Sequence, residues 1–373
     1  MKITILQGAF LPVPPIQGGA VEKMWFTLGK EFVKRGHRVV HISKKHSSLP
    51  QEEVVNGVRH IRIKGYSTPS SQLKMKWLDL LYTIQSRNII PDDTRIVITN
   101  TFWAPFLLKS VHRKRCIVDV QRMPKGQMRF YTKLLALRAN SNIVAENIKK
   151  EISEKYYSKV FMVPNPLPFK QQPEVKFEDK QKKILYVGRL HPEKGIRLLI
   201  EGFGYIQTNW TLEIVGPWRT KLGGGGKKYL NRLKELSKKT PNNVNICDPI
   251  FKADLLNSRY REASIFVYPS LAEKGETFGL APLEAMSFGA VPIVSELKCF
   301  KDFIKPGENG LIFNHRKNDK VALLAQKIKK LTEQNELRKK MAKQAVKVRD
   351  SHSVSNIAVQ FLDHFERLVG ENG

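Results

Sequence analysis

Cysteine is scarce in this chain of 373 residues: Cys116, Cys247 and Cys299 are far apart, which suggests neither a disulfide framework nor a CxxC metal site. A reducing cytoplasm suits such a composition. Long apolar runs are lacking too. The nearly uncharged stretch Thr277 to Ser295 contains Glu284, Pro282, Pro292 and two glycines, wrong for a spanning helix. Lys2 to Gly8 is too short and too soon broken by Pro12, Pro14 and Pro15 to read as a secretion signal, so none is expected. There is no Asp-x-Asp, and a divalent metal bridging phosphates is not expected. Gln7-Gly8-Ala9-Phe10-Leu11-Pro12 lacks G-x-G-x-x-G, which speaks against a Rossmann dehydrogenase. Gly223-Gly224-Gly225-Gly226 lacks the P-loop pattern and reads as a mobile surface loop. Acidic residues are also few, 34 against 64 Lys+Arg.

What is present is a 41% hydrophobic composition, enough to fold unaided, in a chain that exceeds one compact core. Two domains are expected. Short apolar runs alternate with helical periodicity: strands at Ile3 to Leu6, Val39 to Ile42, Val58 to Ile63, Ile96 to Thr99 and Ile117 to Val120, and helices at Glu22 to Lys34, Leu73 to Ser86 and Met128 to Leu137. After the polar stretch Gln171 to Lys183 the pattern restarts at Ile184 to Val187 and runs on to Leu311 to Phe313. The class is α/β, two Rossmann-like halves with ligand space at the carboxyl ends of both sheets.

The densest chemistry lies in Glu276-Thr277-Phe278-Gly279-Leu280-Ala281-Pro282-Leu283-Glu284. Glu276 falls in a loop after a strand and Glu284 in the first turn of the next helix, so both carboxylates can enter one cleft and accept from sugar hydroxyls. The amides of Phe278, Gly279 and Leu280 at the helix N-terminus suit a phosphate. Upstream, Gly188-Arg189-Leu190-His191-Pro192-Glu193-Lys194-Gly195 follows a strand, and its Arg189 and Lys194 can meet a diphosphate as a fork and a point charge. Gly18 and Gly19 follow a strand and open a helix, so bare backbone can approach the same phosphates.

In this order these segments resemble retaining glycosyltransferase family 4, with its E-x7-E signature. Gln17 to Glu22, Arg35-Gly36-His37, Val163-Pro164-Asn165-Pro166 and Lys305 to Gly310 extend the likeness nearly end to end. The family implies a GT-B fold: two Rossmann-like domains facing each other across a cleft, with a final helix crossing back to the first. The expected boundaries are 1–166 on the acceptor side, joined by helix 352–373, and 167–351 for the nucleotide-sugar. The resemblance implies that Glu276 holds the transferred sugar, Glu284 the ribose diol, and Arg189, Lys194, Gly18, Gly19, Gly188, Phe278, Gly279 and Leu280 the donor diphosphate, with base contacts near Ile250. Where members carry a His in the first domain, Ile117 to Gly126 puts Gln121, which cannot shuttle a proton; a positioning role is expected. No cofactor is expected beyond the nucleotide-sugar donor. A UDP-sugar is favoured, with a GDP-sugar (mannosyl) donor the alternative.

The formal charge of +30 favours anionic surfaces. Lys74-Met75-Lys76-Trp77-Leu78 and Arg129 to Leu135 interleave cations with aromatic and apolar residues, as peripheral-membrane helices do. With the family's glycan or lipid-linked saccharide acceptors, this predicts a cytoplasmic enzyme held at the inner face of an anionic membrane. A nucleic-acid-binding protein would also use the charge, but no RNP, zinc-finger or helix-turn-helix signature accompanies it, and no nucleic-acid partner is expected.

Overall fold

A computed structural model of the protein describes residues 1–168 and 175–370. The chain divides into two compact units, Met1–Lys170 with His352–Gly373, and Gln171–Ser351. In the first unit the order is β1 (Lys2–Leu6), α1 (Ala20–Lys34), β2 (Arg38–Lys44), β3 (Glu52–Val55), β4 (Val58–Ile63), α2 (Gln72–Ser86), β5 (Ile96–Thr99), α3 (Ala104–Leu107), α4 (Ser110–Arg113), β6 (Cys116–Val120), β7 (Ala136–Ala139), α5 (Asn142–Lys149) and β8 (Val160–Met162). The second has β9 (Gln181–Val187), α6 (Ile196–Gly204), β10 (Thr211–Val215), α7 (Gly226–Lys239), β11 (Asn243–Cys247), α8 (Ala253–Glu262), β12 (Ala263–Tyr268), α9 (Leu280–Ser287), β13 (Val291–Ser295), β14 (Leu311–Phe313), α10 (Lys320–Glu333), α11 (Asn335–Ala345) and α12 (Val348–Ser351). A last helix, α13 (Val354–Gly370), belongs to the first unit.

The first sheet runs β3-β4-β2-β1-β5-β6-β7-β8, parallel except for β3 on β4. Ile3 and Ile5 of β1 pack beneath Trp25, Leu28 and Phe32 of α1 and Phe361 and Phe365 of α13. The rings of Trp25 and Phe361 are 5.2 Å apart, so α13 closes the core that α1 begins. The other face carries Leu6, Val40, Ile42 and Val97 against Tyr82 of α2 and Ala104 of α3. The second sheet, β11-β10-β9-β12-β13-β14, is wholly parallel. β9 has β10 on one side and β12 on the other, so the strand order reverses there, and loops leaving β9 and β12 flank one crevice at their carboxyl ends.

Two local expectations are corrected. Met128 to Leu137 is not a helix: Met128–Phe130 is a single 3-10 turn and Ala136 already enters β7. Pairing with β6 takes that segment's backbone, and Lys159 Nζ holds the Thr132 and Leu134 carbonyls at 2.9 and 2.7 Å. Tertiary partners thus override the helical spacing. Glu284 lies in the second turn of α9, because the helix starts at Leu280 and its first turn holds no acidic residue.

Candidate active site

The loop after β9 and the loop after β12 are brought together by a backbone contact. Gly195, which ends the Pro192–Lys194 turn with φ +68°, sits so close to Pro269 that a Cβ there would lie 2.0 Å from the Pro269 carbonyl oxygen. Only glycine allows that approach. Glu193 reinforces it by accepting from the Leu271 amide at 2.7 Å through its carbonyl. The consequence is that Lys194 Nζ reaches Glu276 Oε2 at 2.7 Å, an ion pair with only 7% and 11% of the two side chains exposed.

Two tyrosines without any motif support this pair. Tyr268 closes β12 and Tyr186 lies one residue before the end of β9, and their rings stack 5.6 Å apart at 9°. Lys194 Nζ stands 5.6 Å over the Tyr268 ring, and the Tyr268 hydroxyl hydrogen-bonds Glu276. Tyr186 donates to the Arg189 carbonyl at 3.1 Å. Burial first, and the Glu276 charge second, push both phenols well above their ordinary range, so they stay protonated donors. Their sequence signal is tyrosine within the apolar end of a strand, Ile184-Leu185-Tyr186 and Ile265-Phe266-Val267-Tyr268, where a buried hydroxyl needs a partner.

Arg189 is held on both sides, Nη1 donating to the Gly223 carbonyl and Nη2 to Glu193 Oε1, each at 2.7 Å. Gly223 to Gly226 therefore do not form a loose surface loop as their composition suggests. Gly225 N donates to Leu190 O after β9 and Gly226 N to Trp218 O after β10, both at 2.8 Å, docking the segment on both loops.

Gly279 caps α9 with φ +88°, no side chain caps the helix, and a Cβ would lie 2.4 Å from the Phe300 ring. The helix therefore starts with amides rather than a side chain facing outward, and Pro282 brings no N–H of its own. One turn further on, Glu284 Oε2 accepts from the Tyr260 hydroxyl at 2.9 Å. Phe278 is buried, with its ring 5.7 Å from Phe303. Gly188 lies at the end of β9, its amide donating to Val215 O at 3.0 Å. Ile250 stands apart, after β11 and two strands from β9, about 10 Å away by strand spacing.

The remaining expected residues lie in the first unit. Gly18 and Gly19 precede α1, which has no side-chain cap at Gly19. Glu22 in its first turn crowds Gly19, and burial raises its carboxyl pKa. Gln121 follows β6 and joins a buried polar network. Its Nε2 is 2.9 Å from both Asp119 oxygens, and its Oε1 accepts from Asn165 Nδ2 at 3.0 Å and Asn140 Nδ2 at 3.2 Å. Asp119 also pairs with fully buried Arg138 at 2.6 Å and accepts from Trp25 Nε1 at 2.8 Å, while Arg138 Nη2 donates to Asn165 at 2.9 Å. Asp119, Arg138, Trp25 and Asn140 carry no local motif.

The two cationic-aromatic segments are neighbours. Lys76 Nζ of α2 lies 4.7 Å over Phe102, and the Phe102, Trp103, Phe106 and Phe130 rings follow at successive centroid distances of 5.1, 6.0 and 6.4 Å. Asp79 accepts from the Phe102 and Trp103 amides at 3.1 and 3.3 Å, and burial pushes its pKa up to about 6. Leu73, Trp77 and Phe130 are exposed, whereas Tyr131 and Leu134 are buried, so the second segment offers one aromatic rather than a helix face. No helix among the described residues is long and apolar enough to cross a membrane.

Two Rossmann-like units, with the last helix returned to the first, define a GT-B fold. A sucrose-phosphate synthase from Thermosynechococcus elongatus superposes with a TM-score of 0.77 at 17% identity, covering 100% of both chains. Anabaena HepE in complex with UDP-glucose superposes with a TM-score of 0.70 at 16% identity, over 98% of this chain and 100% of that one. Residues 169–348 match the family model for glycosyl transferases group 1, so the second unit is a glycosyltransferase domain of that group. A lipopolysaccharide 1,2-N-acetylglucosaminetransferase from Salmonella typhimurium is 24% identical over 344 residues, 83% of this chain and 84% of its own length.

Proposed function

We propose that the protein transfers a hexose-type sugar, with retention, from a UDP-sugar to a hydroxyl of a glycan or lipid-linked acceptor at an anionic membrane surface. The observation that carries the reading is the buried Lys194–Glu276 pair at the crevice between β9 and β12, with Glu284 one turn into α9. Departure of the diphosphate breaks the anomeric C–O bond and leaves the electron pair on a phosphate oxygen. The acceptor oxygen forms the new bond, and its proton passes to the departing phosphate. Arg189, Lys194 and the amides of Phe278, Gly279 and Leu280 stabilise that charge without a metal, and Gly18 and Gly19 add backbone donors. Gly188 lets the diphosphate approach the end of β9, and Ile250 contacts the base through its backbone. Glu276, held by Lys194 and Tyr268, accepts from the sugar hydroxyls, and Glu284 accepts from the ribose diol. Gln121 acts as a positioning residue through Asp119 and Asn165. The UDP preference is supported by the UDP-glucose complex of a protein with the same fold and by the N-acetylglucosaminyl relative. The basic aromatic patch on α2 supports the membrane and the lipid-linked acceptor.

Thermal shift with UDP, GDP and their sugars tests the donor. UDP should stabilise wild type and lose its effect in Glu284→Ala, whereas Glu276→Ala should keep UDP binding and lose turnover. Stabilisation by GDP alone would overturn the UDP reading. Equal, near-wild-type kinetics in both variants would overturn the site.

A further inference from the structure

A cleft of about 230 Å³ opens in the second unit, lined by Phe177, Glu178, Lys180, Ser264, Arg338 and Lys339 among others. It lies at the opposite ends of the strands from the crevice described above. Lys180 immediately precedes β9 and Ser264 is the second residue of β12. β9 is 7 residues long, which puts roughly 20 Å between this cleft and Gly188 at about 3.3 Å per residue. The volume is below the roughly 300–1,000 Å³ of sites for drug-sized molecules, so the occupant is small.

The lining carries three cations against one carboxylate, Glu178. Arg338 is held in place before any ligand arrives. Its guanidinium lies 4.8 Å over the Trp210 ring, Nη1 donates to Leu331 O and Nη2 to Asn335 Oδ1, each at 2.6 Å. A planar fork fixed in this way suits a tetrahedral oxyanion. Lys180 Nζ donates to Ala263 O at 2.8 Å and Tyr260 O at 3.2 Å, and an ammonium has a third proton to give. Lys339 on α11 has only a loose partner, Glu336 at 3.6 Å, and half of its side chain is exposed.

We propose that this cleft is a second anion site that takes a phosphate group, either inorganic phosphate or the phosphomonoester of a small sugar. The site is independent of which donor the enzyme uses. Burial, with the Arg349 charge second, pushes the Lys180 amine down to about 7, and a bound anion opposes both effects. Tyr260, whose carbonyl accepts from Lys180, donates through its hydroxyl to Glu284, so the site lies one residue from a group of the donor crevice.

The test is titration of the full-length protein with inorganic phosphate and with glucose 6-phosphate, read by calorimetry and by amide hydrogen exchange. Binding should protect 177–180 and 335–342. It should weaken at least tenfold in Lys339→Glu, with the wild-type Tm as the check on folding, and the protection of those two segments should stay unchanged in Arg189→Ala and in the charge control Lys234→Glu. Tighter binding of the phosphosugar assigns a phosphomonoester; equal affinity assigns bare phosphate. No protection of those segments, or loss of binding in Arg189→Ala but not in Lys339→Glu, overturns the proposal. An equal loss in Lys234→Glu also overturns it, because net charge alone would then explain the binding.

Discussion

Lys194 and Glu276 are 82 positions apart in the sequence, and their pairing is the contact on which the candidate site rests. Removing one partner of such a buried pair leaves a charge uncompensated, at a cost of about 3 kcal/mol or more. Lys194→Met and Glu276→Gln should each lower stability by that order in urea unfolding. The double variant should lose less than the sum, while all three lose at least about a hundredfold in turnover, as when a donor aimed at developing charge is removed. Additive stability losses would show that the two side chains do not act as a pair. Gly279 makes a second residue-scale case, since φ +88° and the Phe300 ring at 2.4 Å from a built Cβ both oppose a side chain there. Gly279→Ala should cost about 1–3 kcal/mol from strain alone and shift the first turn of α9. A lowered Tm together with weaker nucleotide binding is the expected outcome; an unchanged Tm contradicts it.

Among the elements, β2 and β4 bring together a pair that neither strand announces. His41 and His60 stand opposite each other in register, fully buried, with rings 5.4 Å apart and no hydrogen-bond partner on any of the four nitrogens. Burial is the main cause that lowers both, His60 to about 4 and His41 well below its ordinary value. The unfolded chain takes up these protons near pH 6.5 and the folded chain does not. Their contribution is therefore fully present above about pH 6.5 and lost as pH falls toward 4. At pH 5 the loss is about 2 kcal/mol for a histidine shifted this far. Asp79, raised to about 6, works in the opposite direction, since the folded state holds its proton more tightly than the unfolded one. Denaturation midpoints measured from pH 7.5 to 5 should fall in wild type, and the fall should shrink in a His41→Phe, His60→Phe double variant. An identical slope in both proteins would place the acid sensitivity elsewhere.

At the level of the whole molecule the excess of cations, 64 against 34, sets the long-range behaviour. A basic residue near an anionic bilayer contributes about 1 kcal/mol, screened within a Debye length of about 8 Å at physiological salt. Flotation with anionic vesicles should therefore fall steeply as salt rises. Reversing Lys74, Lys76, Arg129 and Lys133 should release the protein while nucleotide binding in the other unit persists. If the reversed variant floats as well as wild type, the patch on α2 is not the docking surface.

The sequence by itself determined the α/β alternation and its restart in the second half, and the order of its motifs, through their resemblance to glycosyltransferase family 4, implied the GT-B class. These rest on apolar periodicity and on signals that act within a few residues, as at Gly195 and Gly279, where a backbone angle or a close approach admits only glycine. It also singled out Glu276, Glu284, Arg189 and Lys194, because their spacing around a strand end is local information. Tertiary structure alone decided that Lys194 would pair with Glu276, that Tyr186 and Tyr268 would stack beneath them, and that Gly223 would dock on Arg189. It also decided that Met128 to Leu137 would give up helical spacing for a turn and a strand. Each of these depends on which strands become neighbours, and the parallel order placing β9 between β10 and β12 is fixed by the packing of the whole sheet, not by any segment within it.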